Sequence, residues 1–377
     1  MTQPGCRVLV TGAQGFIGKN LVIRLGELSR FTVTTYLRGD DAAALPALVA
    51  QADAVVHLAG ENRPRDESAF AKVNTGLTEA LCGAIRKEAD TTGRKVQLII
   101  ASSTQAARDN AYGRSKLAAE QAVQALVEAT GNPAVVFRLP GVFGKWCKPN
   151  YNSVVATFCH NIARGLPIQV NDPTINLRLV YVDDVVSSFI SALESPVAGL
   201  TQGMVQPEYG ITLGGLAAQI EAFGTCRTTL QTERVGTGLV RALYATYVSY
   251  LPNERFAYEI PQHSDPRGVF VEMLKTPDCG QFSYFTARPG VTRGGHYHHS
   301  KTEKFLVIKG QALFRFRHLQ TNELVELRTS GDSPQVVDTI PGWVHDVTNV
   351  GDEEMVVMLW ANENFDRERP DTVGSRV

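Results

Sequence analysis

The sequence predicts two folds in succession: a doubly wound α/β domain built on a parallel sheet, then an all-β domain of the antiparallel barrel or jelly-roll type. At 377 residues the chain is longer than a single hydrophobic core usually supports. Short apolar runs alternate with helical periods from residue 7 to about 190, and after about 255 the runs are short, alternating and separated by turn residues. We therefore expect two domains, residues 1–250 and 251–377.

The first part alternates strands with helices. We predict helices over residues 17–29, 41–51, 68–89 and 112–130, and strands at "RVLVTG", "FTVTTYL", "ADAVVHLAG", "VQLIIASS" and "AVVFRLPGVFG". Strands joined by helices run in the same direction, so we expect a parallel sheet covered on both faces. Ligands of such sheets bind at the carboxyl ends of the strands.

The second part consists of consecutive strands. They are predicted at "GVFVEML", "GQFSYFTA", "EKFLVIKGQALFRFRHL", "ELVELRT", "QVVDTIPG" and "EEMVVMLWA". Many short strands at close spacing indicate an antiparallel architecture.

Composition excludes several classes of protein. The 37 Lys and Arg residues nearly balance the 38 Asp and Glu residues, so no global field favours nucleic acid or an anionic membrane. We see neither a leader peptide nor a run of about 18 apolar residues, and we expect a cytoplasmic protein. The six cysteines lack CxxC spacing, which favours reduced packing residues.

A glycine-rich turn follows the first strand. The stretch "TGAQGFIG" places Gly12, Gly15 and Gly18 between a strand and a helix, with Phe16 and Ile17 at the start of that helix. Glycines allow a tight turn and close backbone approach, so a dinucleotide pyrophosphate can bind the helix N-terminus. We expect all five residues to contact the cofactor.

The end of the second strand indicates which dinucleotide is used. An NAD site usually has an acidic residue there for the ribose hydroxyls, whereas this chain offers Arg38 in "TTYLRG". A guanidinium suits a 2′-phosphate, so NADPH is expected. The alternative is an exposed loop arginine.

The stretch "AYGRSKLAAE" carries acid–base chemistry. Tyr112 and Lys116 are four residues apart and share one face of the predicted helix. A nearby ammonium favours the phenolate, which would bring the tyrosine towards a pKa useful for proton transfer. Ser102, Ser103 and Thr104 follow a strand, where a hydroxyl can bond a reacting carbonyl.

Together with "ADAVVHLAG", "VNTGLT" and "VYVDDV", these motifs resemble the extended short-chain dehydrogenases/reductases over roughly residues 5 to 250. The resemblance implies a Rossmann fold and a nucleotide-sugar substrate. It implies that Ser103, Tyr112 and Lys116 are catalytic, with Tyr112 the proton donor and Thr104 a weaker candidate than Ser103. It further implies cofactor contacts from Asp53, Ala59, Asn74, Tyr112 and Lys116, and substrate contacts from Arg138 and Asn152.

A histidine-rich stretch, "PGVTRGGHYHHSKTEKFLVIKG", lies in the second part. His296 and His298 are two apart, so on one strand they share a face, and Glu303 can return on a partner strand. With His345 in "PGWVHDVTN", the stretch resembles the two cupin motifs, although this chain lacks the residue usually found between that proline and glycine. The resemblance implies a cupin jelly roll whose metal ligands are His296, His298, Glu303 and His345. Three histidines and a carboxylate suit Zn²⁺, with Mn²⁺, Fe²⁺ and Ni²⁺ as alternatives, and the metal can be catalytic or structural.

Part of the same region, "HSDPRGVFVEML" and "VTRGGHYH", resembles the dTDP-4-keto sugar epimerases, which are cupins. This resemblance implies that Arg267 and Arg293 contact the nucleotide sugar. It also offers His296 as an acid/base instead of a ligand. Both roles cannot hold at once, because coordination occupies the lone pair that a base uses.

The pairing of the two parts has a chemical reason. A sugar carbon next to a ketone is acidic because its carbanion delocalises as an enolate, so epimerisation must precede reduction of that ketone. The whole chain resembles the bifunctional capsular polysaccharide and O-antigen enzymes that make UDP-2-acetamido-2,6-dideoxy-β-L-talose. This implies epimerisation at carbon 3 by the cupin, reduction at carbon 4 with NADPH, a UDP-linked 4-keto amino-deoxy sugar and a homodimer. Two alternatives stay open: a reductase with a purely structural cupin, and a metal-dependent oxygenase, which nothing links to the front domain.

Overall fold

The computed structural model of the chain describes residues 5–63, 66, 70–265, 268–271, 273, 274, 276, 280–363 and 368–377. These residues form two compact units that interleave along the sequence, whereas the predicted division at residue 250 is sequential. The first unit comprises residues 1–143, 151–153 and 177–210, and the second comprises 144–150, 154–176 and 211–377.

The helices follow the predicted positions closely in the first unit. Their bounds are α1 Phe16–Gly26, α2 Leu45–Gln51, α3 Leu77–Thr92, α4 Ala111–Thr130, α5 Val154–Ala163, α6 Val182–Glu194, α7 Leu213–Thr229 and α8 Gly238–Val248. Short 3₁₀ turns span Ala42–Ala44, Thr104–Ala107 and Asn253–Arg255. Instead of the single helix predicted over 68–89, a π-helical turn at Ala71–Gly76 leads into α3.

The first unit is built on a parallel sheet. Its strands are β1 Cys6–Thr11, β2 Phe31–Tyr36, β3 Ala54–His57, β4 Gln97–Ser103, β5 Ala134–Leu139 and β8 Leu200–Gly203, in the order β2-β1-β3-β4-β5-β8. Every neighbouring pair is parallel, which confirms the predicted sheet. The chain leaves β1 for β2 on one side and returns to β3 on the other, so the crevice between β1 and β3 is the switch point where ligands of such sheets bind. Three short strands, β6 Gly141–Phe143, β7 Asn176–Tyr181 and β9 Tyr209–Thr212, form a separate small sheet.

Both faces of the parallel sheet are covered by apolar side chains. Val8 and Val10 of β1 lie in one buried cluster with residues of α1 and α6, whereas Leu9 lies in the other with residues of α2, α3 and α4. Successive side chains of a strand point to opposite faces, so this split accounts for the continuous apolar run in β1. The doubly wound prediction for this part is confirmed.

The second unit contains two five-stranded antiparallel sheets. One has the order β10-β18-β15-β20-β13 and the other β17-β16-β19-β14-β21. Their strands are β10 Ala257–Glu259, β13 Gln281–Ala287, β14 Thr292–Tyr297, β15 Glu303–Lys309, β16 Gln311–His318, β17 Leu324–Ser330, β18 Gln335–Asp338, β19 Trp343–Asn349, β20 Met355–Ala361 and β21 Val373–Gly374, and a hairpin joins β11 Gln262–Asp265 to β12 Gly268–Val271. The antiparallel prediction is confirmed, and the cupin jelly roll stays a prediction.

A buried ionic cluster ties α7 to two of these strands. Asp338 of β18 receives the Nζ of Lys304 at 2.6 Å and the guanidinium of Arg227 from α7. The guanidinium also lies over the ring of Tyr258, at 4.9 Å from the ring centroid. One carboxylate therefore compensates two buried cations, an arrangement that is costly to break. Since Lys304 is committed to this cluster, it is not available as an acid/base beside Glu303.

Among the described residues, no helix is both long and apolar enough to cross a membrane.

Candidate active sites

The glycine turn after β1 is shaped by two close backbone approaches. Gly12 has φ +69°, and a Cβ there would lie 2.5 Å from the amide nitrogen of Ala59. A Cβ on Gly18 would lie 2.2 Å from the carbonyl oxygen of Gly12. Gly15 caps α1, whose first residues are Phe16 and Ile17. The turn thus leaves the N-terminus of α1 at the switch point, where a diphosphate can accept its amide hydrogens.

Arg38 follows β2 at the same edge of the sheet. Its side chain is 80% exposed, and its Nη2 lies 2.9 Å from Glu61 Oε2. Tyr151 also donates to Glu61, at 3.2 Å. An exposed guanidinium that pairs with a single carboxylate can reorient to bind a phosphate. The contact of Arg38 with the cofactor stays a prediction.

Asn74 binds the segment that follows β3. Its side-chain nitrogen donates to the Glu61 carbonyl and to Ser115 Oγ, both at 3.0 Å, and its side-chain oxygen accepts from the Glu61 amide at 2.7 Å. Ala59 in the same segment donates its amide to Thr11 Oγ1 at 3.3 Å. In the described contacts, Asn74 therefore fixes the backbone beside the glycine turn.

The structure corrects the role predicted for Asp53. Its carboxylate pairs with the side chain of Arg7, Oδ1 to Nη2, at 2.6 Å and lies 3.5 Å from Arg94. Both Arg7 and Asp53 lie at the amino ends of their strands, and the four residues from Asp53 to His57, at 3.3 Å each, put Asp53 roughly 13 Å from the carboxyl end of β3. Asp53 therefore links strands at the edge opposite to the glycine turn.

Ser103, Tyr112 and Lys116 meet at the carboxyl edge of β4. Ser103 ends β4, and Tyr112 is the second residue of α4. Lys116, one turn further along α4, donates to the carbonyl of Ala101 at 3.1 Å, and its Nζ lies 6.0 Å from the centroid of the Tyr112 ring. Ser103 acts to lower the pKa of Tyr112, so the predicted trio is one constellation.

Burial sets the proton affinities of this constellation. Desolvation raises the pKa of Tyr112, and the hydrogen bond from Ser103 opposes that rise. Desolvation lowers the pKa of Lys116 to about 8, with the charge of Glu120 acting in the opposite direction. The sequence predicted that the ammonium would bring the phenol towards the phenolate. Burial outweighs that effect in the structure, so Tyr112 is a neutral phenol that can donate a proton.

Glu120 is a residue of this site that the sequence reasoning missed. It lies four residues after Lys116 on α4 and accepts hydrogen bonds from Ser102 and from Arg138, whose Nη2 is at 2.6 Å. Tyr112, Lys116 and Glu120 are spaced four residues apart, and this spacing was the signal that could have found Glu120.

Arg138 and Asn152 were predicted to bind substrate. The guanidinium of Arg138 donates to both carboxylate oxygens of Glu120, and its substrate contact stays a prediction. Asn152, exposed in the first unit, is likewise untested.

Four side chains converge in the second unit as a candidate metal centre. One ligand atom from each of His296, His298, Glu303 and His345 lies within 4.8 Å of the others. His296 and His345 are paired across β14 and β19. His298, however, follows the end of β14, and Glu303 opens β15 in the other five-stranded sheet. The expected hairpin is therefore wrong: the residues converge between the two sheets.

The donor set fits a cation. His298 Nε2 faces Glu303 Oε2 at 3.1 Å, and its Nδ1 contacts the carbonyl of Asp371, which can only accept. Nε2 is thus the ring nitrogen that can share a cation with the Glu303 carboxylate. His345 Nε2 lies 3.7 Å from Glu303 Oε2, too far for a hydrogen bond, and neither of its ring nitrogens has a partner among the described residues.

Burial also keeps the imidazoles in the form that binds metals. Desolvation lowers the pKa of His345, and it lowers the pKa of His296 to about 3, with His345 and His298 nearby contributing in the same direction. These two rings are therefore neutral at pH 7 and retain a lone pair for coordination. The other oxygen of Glu303 lies 3.1 Å from Lys301 Nζ.

A pocket of about 190 Å³ opens beside the cluster. His296, Glu303 and His345 lie in its wall, together with Arg293 and several phenylalanines. The guanidinium of Arg293 stacks on the ring of Phe285 at 5.0 Å and donates to the Thr286 carbonyl at 3.2 Å. Arg293, predicted to contact substrate, is thus close to the candidate metal centre. Arg267 and Cys279 lie outside the described residues.

Comparison with known proteins agrees with the two sites. Residues 8–206 match the NAD dependent epimerase/dehydratase family, and residues 263–373 match the polysaccharide biosynthesis C-terminal domain. The chain therefore belongs to the NAD dependent epimerase/dehydratase family, with a second domain of the polysaccharide biosynthesis type.

Particular relatives cover the whole chain. A Pseudomonas aeruginosa protein, UDP-2-acetamido-2,6-beta-L-arabino-hexul-4-ose reductase, is 54% identical over 371 residues, 98% of this chain and 99% of the relative. The crystal structure of capsular polysaccharide assembling protein CapF from Staphylococcus aureus is similar over 98% of this chain and 100% of that one, at 39% identity and a TM-score of 0.66. A second crystal form, in space group C222₁, gives 36% identity over 98% of this chain and 99% of that one, with a TM-score of 0.58. The resemblance to capsular polysaccharide enzymes is confirmed.

Proposed function

We propose that this chain is a bifunctional nucleotide-sugar enzyme. Its second unit inverts carbon 3 of UDP-2-acetamido-2,6-dideoxy-4-hexulose, and its first unit then reduces the ketone at carbon 4. The product is UDP-2-acetamido-2,6-dideoxy-β-L-talose, on the route to UDP-N-acetyl-L-fucosamine.

The constellation of Ser103, Tyr112 and Lys116 at the carboxyl edge of β4 supports the reductase assignment. The Pseudomonas relative, 54% identical over the full length, is named as a reductase of a UDP-linked 4-keto sugar. Ser103 would orient the carbonyl oxygen at carbon 4, and Tyr112 would give that oxygen its proton. Protonated Lys116 would stabilise the phenolate that Tyr112 becomes when it gives up its proton.

NADPH is the proposed cofactor because Arg38 is the first charged residue after β2 and precedes the first acidic one, Asp40. The residues that would hold it are the glycine turn, Arg38, the backbone near Ala59 and Lys116. When bound, NADPH supplies the hydride that adds to carbon 4.

The His/Glu cluster and its pocket support the epimerase half. The carbon 3 proton is acidic only while carbon 4 is a ketone, so inversion must come before reduction. The pocket offers Arg293 for the diphosphate and phenylalanine rings for apolar contact with the ligand. A divalent metal held by His296, His298, Glu303 and His345, Zn²⁺ first, would supply positive charge that stabilises the enolate.

A second candidate is a 4-keto sugar reductase whose antiparallel unit is purely structural. The number of ligands favours it, since four protein ligands can complete a tetrahedral zinc and leave no open position. In that case the second unit cannot exchange substrate protons.

NMR in D₂O distinguishes these functions. The 4-keto sugar is incubated with the metal-loaded protein, first without NADPH and then with it. We expect deuterium at carbon 3 before the cofactor is added, and a reduced, inverted product afterwards. Reduction without prior exchange or inversion would leave only the reductase, and no oxidation of NADPH would remove the reductase as well.

The resemblance also leads us to propose a cytoplasmic homodimer. Light scattering of the purified chain tests the dimer, because a mass near the 41.1 kDa of one chain would contradict it.

A further inference from the structure

The last described segment, residues 368–377, folds against the loop that carries the candidate metal ligands. Asp371 Oδ1 accepts the amide of His299 at 2.8 Å, and Oδ2 accepts the amides of Ser300 and Lys301, each at 2.7 Å. Oδ2 also accepts the Ser300 hydroxyl at 3.0 Å. One carboxylate therefore fixes three successive amides between His298 and Glu303.

The same segment contacts the strand on the other side of His298. Gly374 and Val373 of β21 pair with His296 and Tyr297 of β14, and the Ser375 amide donates to the Gly295 carbonyl at 2.9 Å. The segment, about 70 residues away in sequence, thus holds both the end of β14 before His298 and loop residues 299–301 after it.

The main-chain carbonyl of Asp371 contacts His298 Nδ1. A carbonyl only accepts, so this contact holds a proton on Nδ1 and leaves Nε2 as the nitrogen that faces Glu303. Ligand histidines in metal sites are commonly oriented in this way by a carbonyl or carboxylate partner.

We propose that Asp371 is a positioning residue of the metal centre: its carbonyl sets the tautomer of His298, and its carboxylate holds the loop that brings His298 and Glu303 together. This inference rests on the proposed metal site. It assigns to the C-terminal segment a role in metal affinity, which no motif in that segment indicated.

The test measures Zn²⁺ affinity of the full-length protein by competition with a chelating indicator at pH 7. Asp371→Ala removes the carboxylate that holds the loop and keeps the main-chain carbonyl; the loosened loop should weaken Zn²⁺ binding by about 10- to 100-fold, the usual effect of losing an outer partner of a metal site. Arg376→Ala is the matched control, because Arg376 is exposed in the same segment and its main-chain carbonyl makes the contact with Arg317. It should remain within about twofold of the wild type.

The absorption spectrum of the Co²⁺-substituted protein is the second readout. A changed orientation of His298 should alter the visible bands in Asp371→Ala and leave them unchanged in Arg376→Ala. If Asp371→Ala does not fold, Asp371→Asn retains the size and one neutral acceptor and should show the same changes to a smaller degree. Wild-type affinity and spectrum in a folded Asp371 variant would overturn the inference alone, whereas a wild-type protein that binds no metal would overturn the metal centre with it.

Discussion

The hydroxyl of Tyr112 is the group on which the proposed reduction depends. Ser103 acts to lower its pKa, Lys116 lies one helical turn away, and burial keeps it protonated. The residue types and their spacing were readable from the sequence. The direction of the pKa was not, because it depends on how much surrounding protein excludes water from the phenol.

Tyr112→Phe should lower the rate of NADPH oxidation by about 10²- to 10⁴-fold, because the ring remains but the proton donor is lost. Deuterium exchange at carbon 3 should stay at the wild-type rate. Tyr209→Phe, which removes a hydroxyl from a partly exposed tyrosine of the same unit, is the control for both assays. Loss of exchange in a folded Tyr112→Phe protein would argue for one shared site.

The charge of Glu120 raises the pKa of Lys116. The groups near the Lys116 ammonium are Glu120, His57 and Tyr112, and only the Glu120 carboxylate raises the Lys116 pKa against the desolvation that lowers it to about 8. Protonated Lys116 is lost as the pH rises through that pKa. Removing the carboxylate should therefore move the loss to lower pH.

The measurement is kcat/KM for NADPH-dependent reduction against pH. Glu120→Gln should shift the alkaline limb to lower pH, and above that limb a shift of one pH unit corresponds to about a tenfold loss. Glu128→Gln is the control, because Glu128 is exposed on the same helix and bonds only Gln124 among the described contacts. If the alkaline limb of the pH profile is unchanged in Glu120→Gln, then the loss of activity at high pH is not set by deprotonation of Lys116.

The order of strands and helices in the first unit could be predicted because apolar runs and helical periods are local. The candidate metal centre could be predicted only in part, because it depends on pairing between strands that are distant in sequence. His296, His298 and Glu303 were found by spacing, but their assignment to one hairpin was wrong, since pairing between distant strands puts β14 and β15 in different sheets. The cofactor contact predicted for Asp53 failed for a related reason. The motif identified strand β3, but it did not show that Asp53 pairs with Arg7 at the amino end of that strand. Asp371 carried no local signal.

The buried cluster of Arg227, Asp338 and Lys304 predicts a large stability effect. Asp338→Asn would leave two buried cations without a counter-charge and should lower the free energy of unfolding of the second unit by about 3–5 kcal/mol. Glu353→Gln, which breaks the exposed pair with Lys309, should cost about 1 kcal/mol or less.

Intrinsic fluorescence in denaturant measures this effect selectively. All three tryptophans, Trp146, Trp343 and Trp360, belong to the second unit. The unfolding midpoint of Asp338→Asn should therefore fall well below that of Glu353→Gln. Equal midpoints would show that water reaches the cluster.

In the proposed function, the molecule as a whole combines two chemistries that must occur in a fixed order on one sugar. Proton exchange needs the ketone, and hydride transfer removes it. The two sites use different means, an acid–base constellation on a parallel sheet and a His/Glu cluster between antiparallel sheets. They should therefore respond independently to loss of metal.

Treatment with 1,10-phenanthroline followed by dialysis should abolish deuterium exchange at carbon 3. NADPH oxidation with a 4-keto sugar already inverted at carbon 3 should stay within about twofold of the untreated rate, because no candidate ligand lies in the first unit among the described residues. Added Zn²⁺ should restore exchange. If exchange survives complete removal of metal, the cluster has only a structural role.

The interleaving of the two compact units limits how this protein can be divided. The chain passes between the units five times, after residues 143, 150, 153, 176 and 210. A fragment that starts at residue 251 would lose Arg227 from its buried cluster, and one that ends at 250 would retain α5, α7 and α8 without the strands of their own unit. Gene fission at that point would yield two unstable products, so the two activities are expected to be inherited, expressed and lost together.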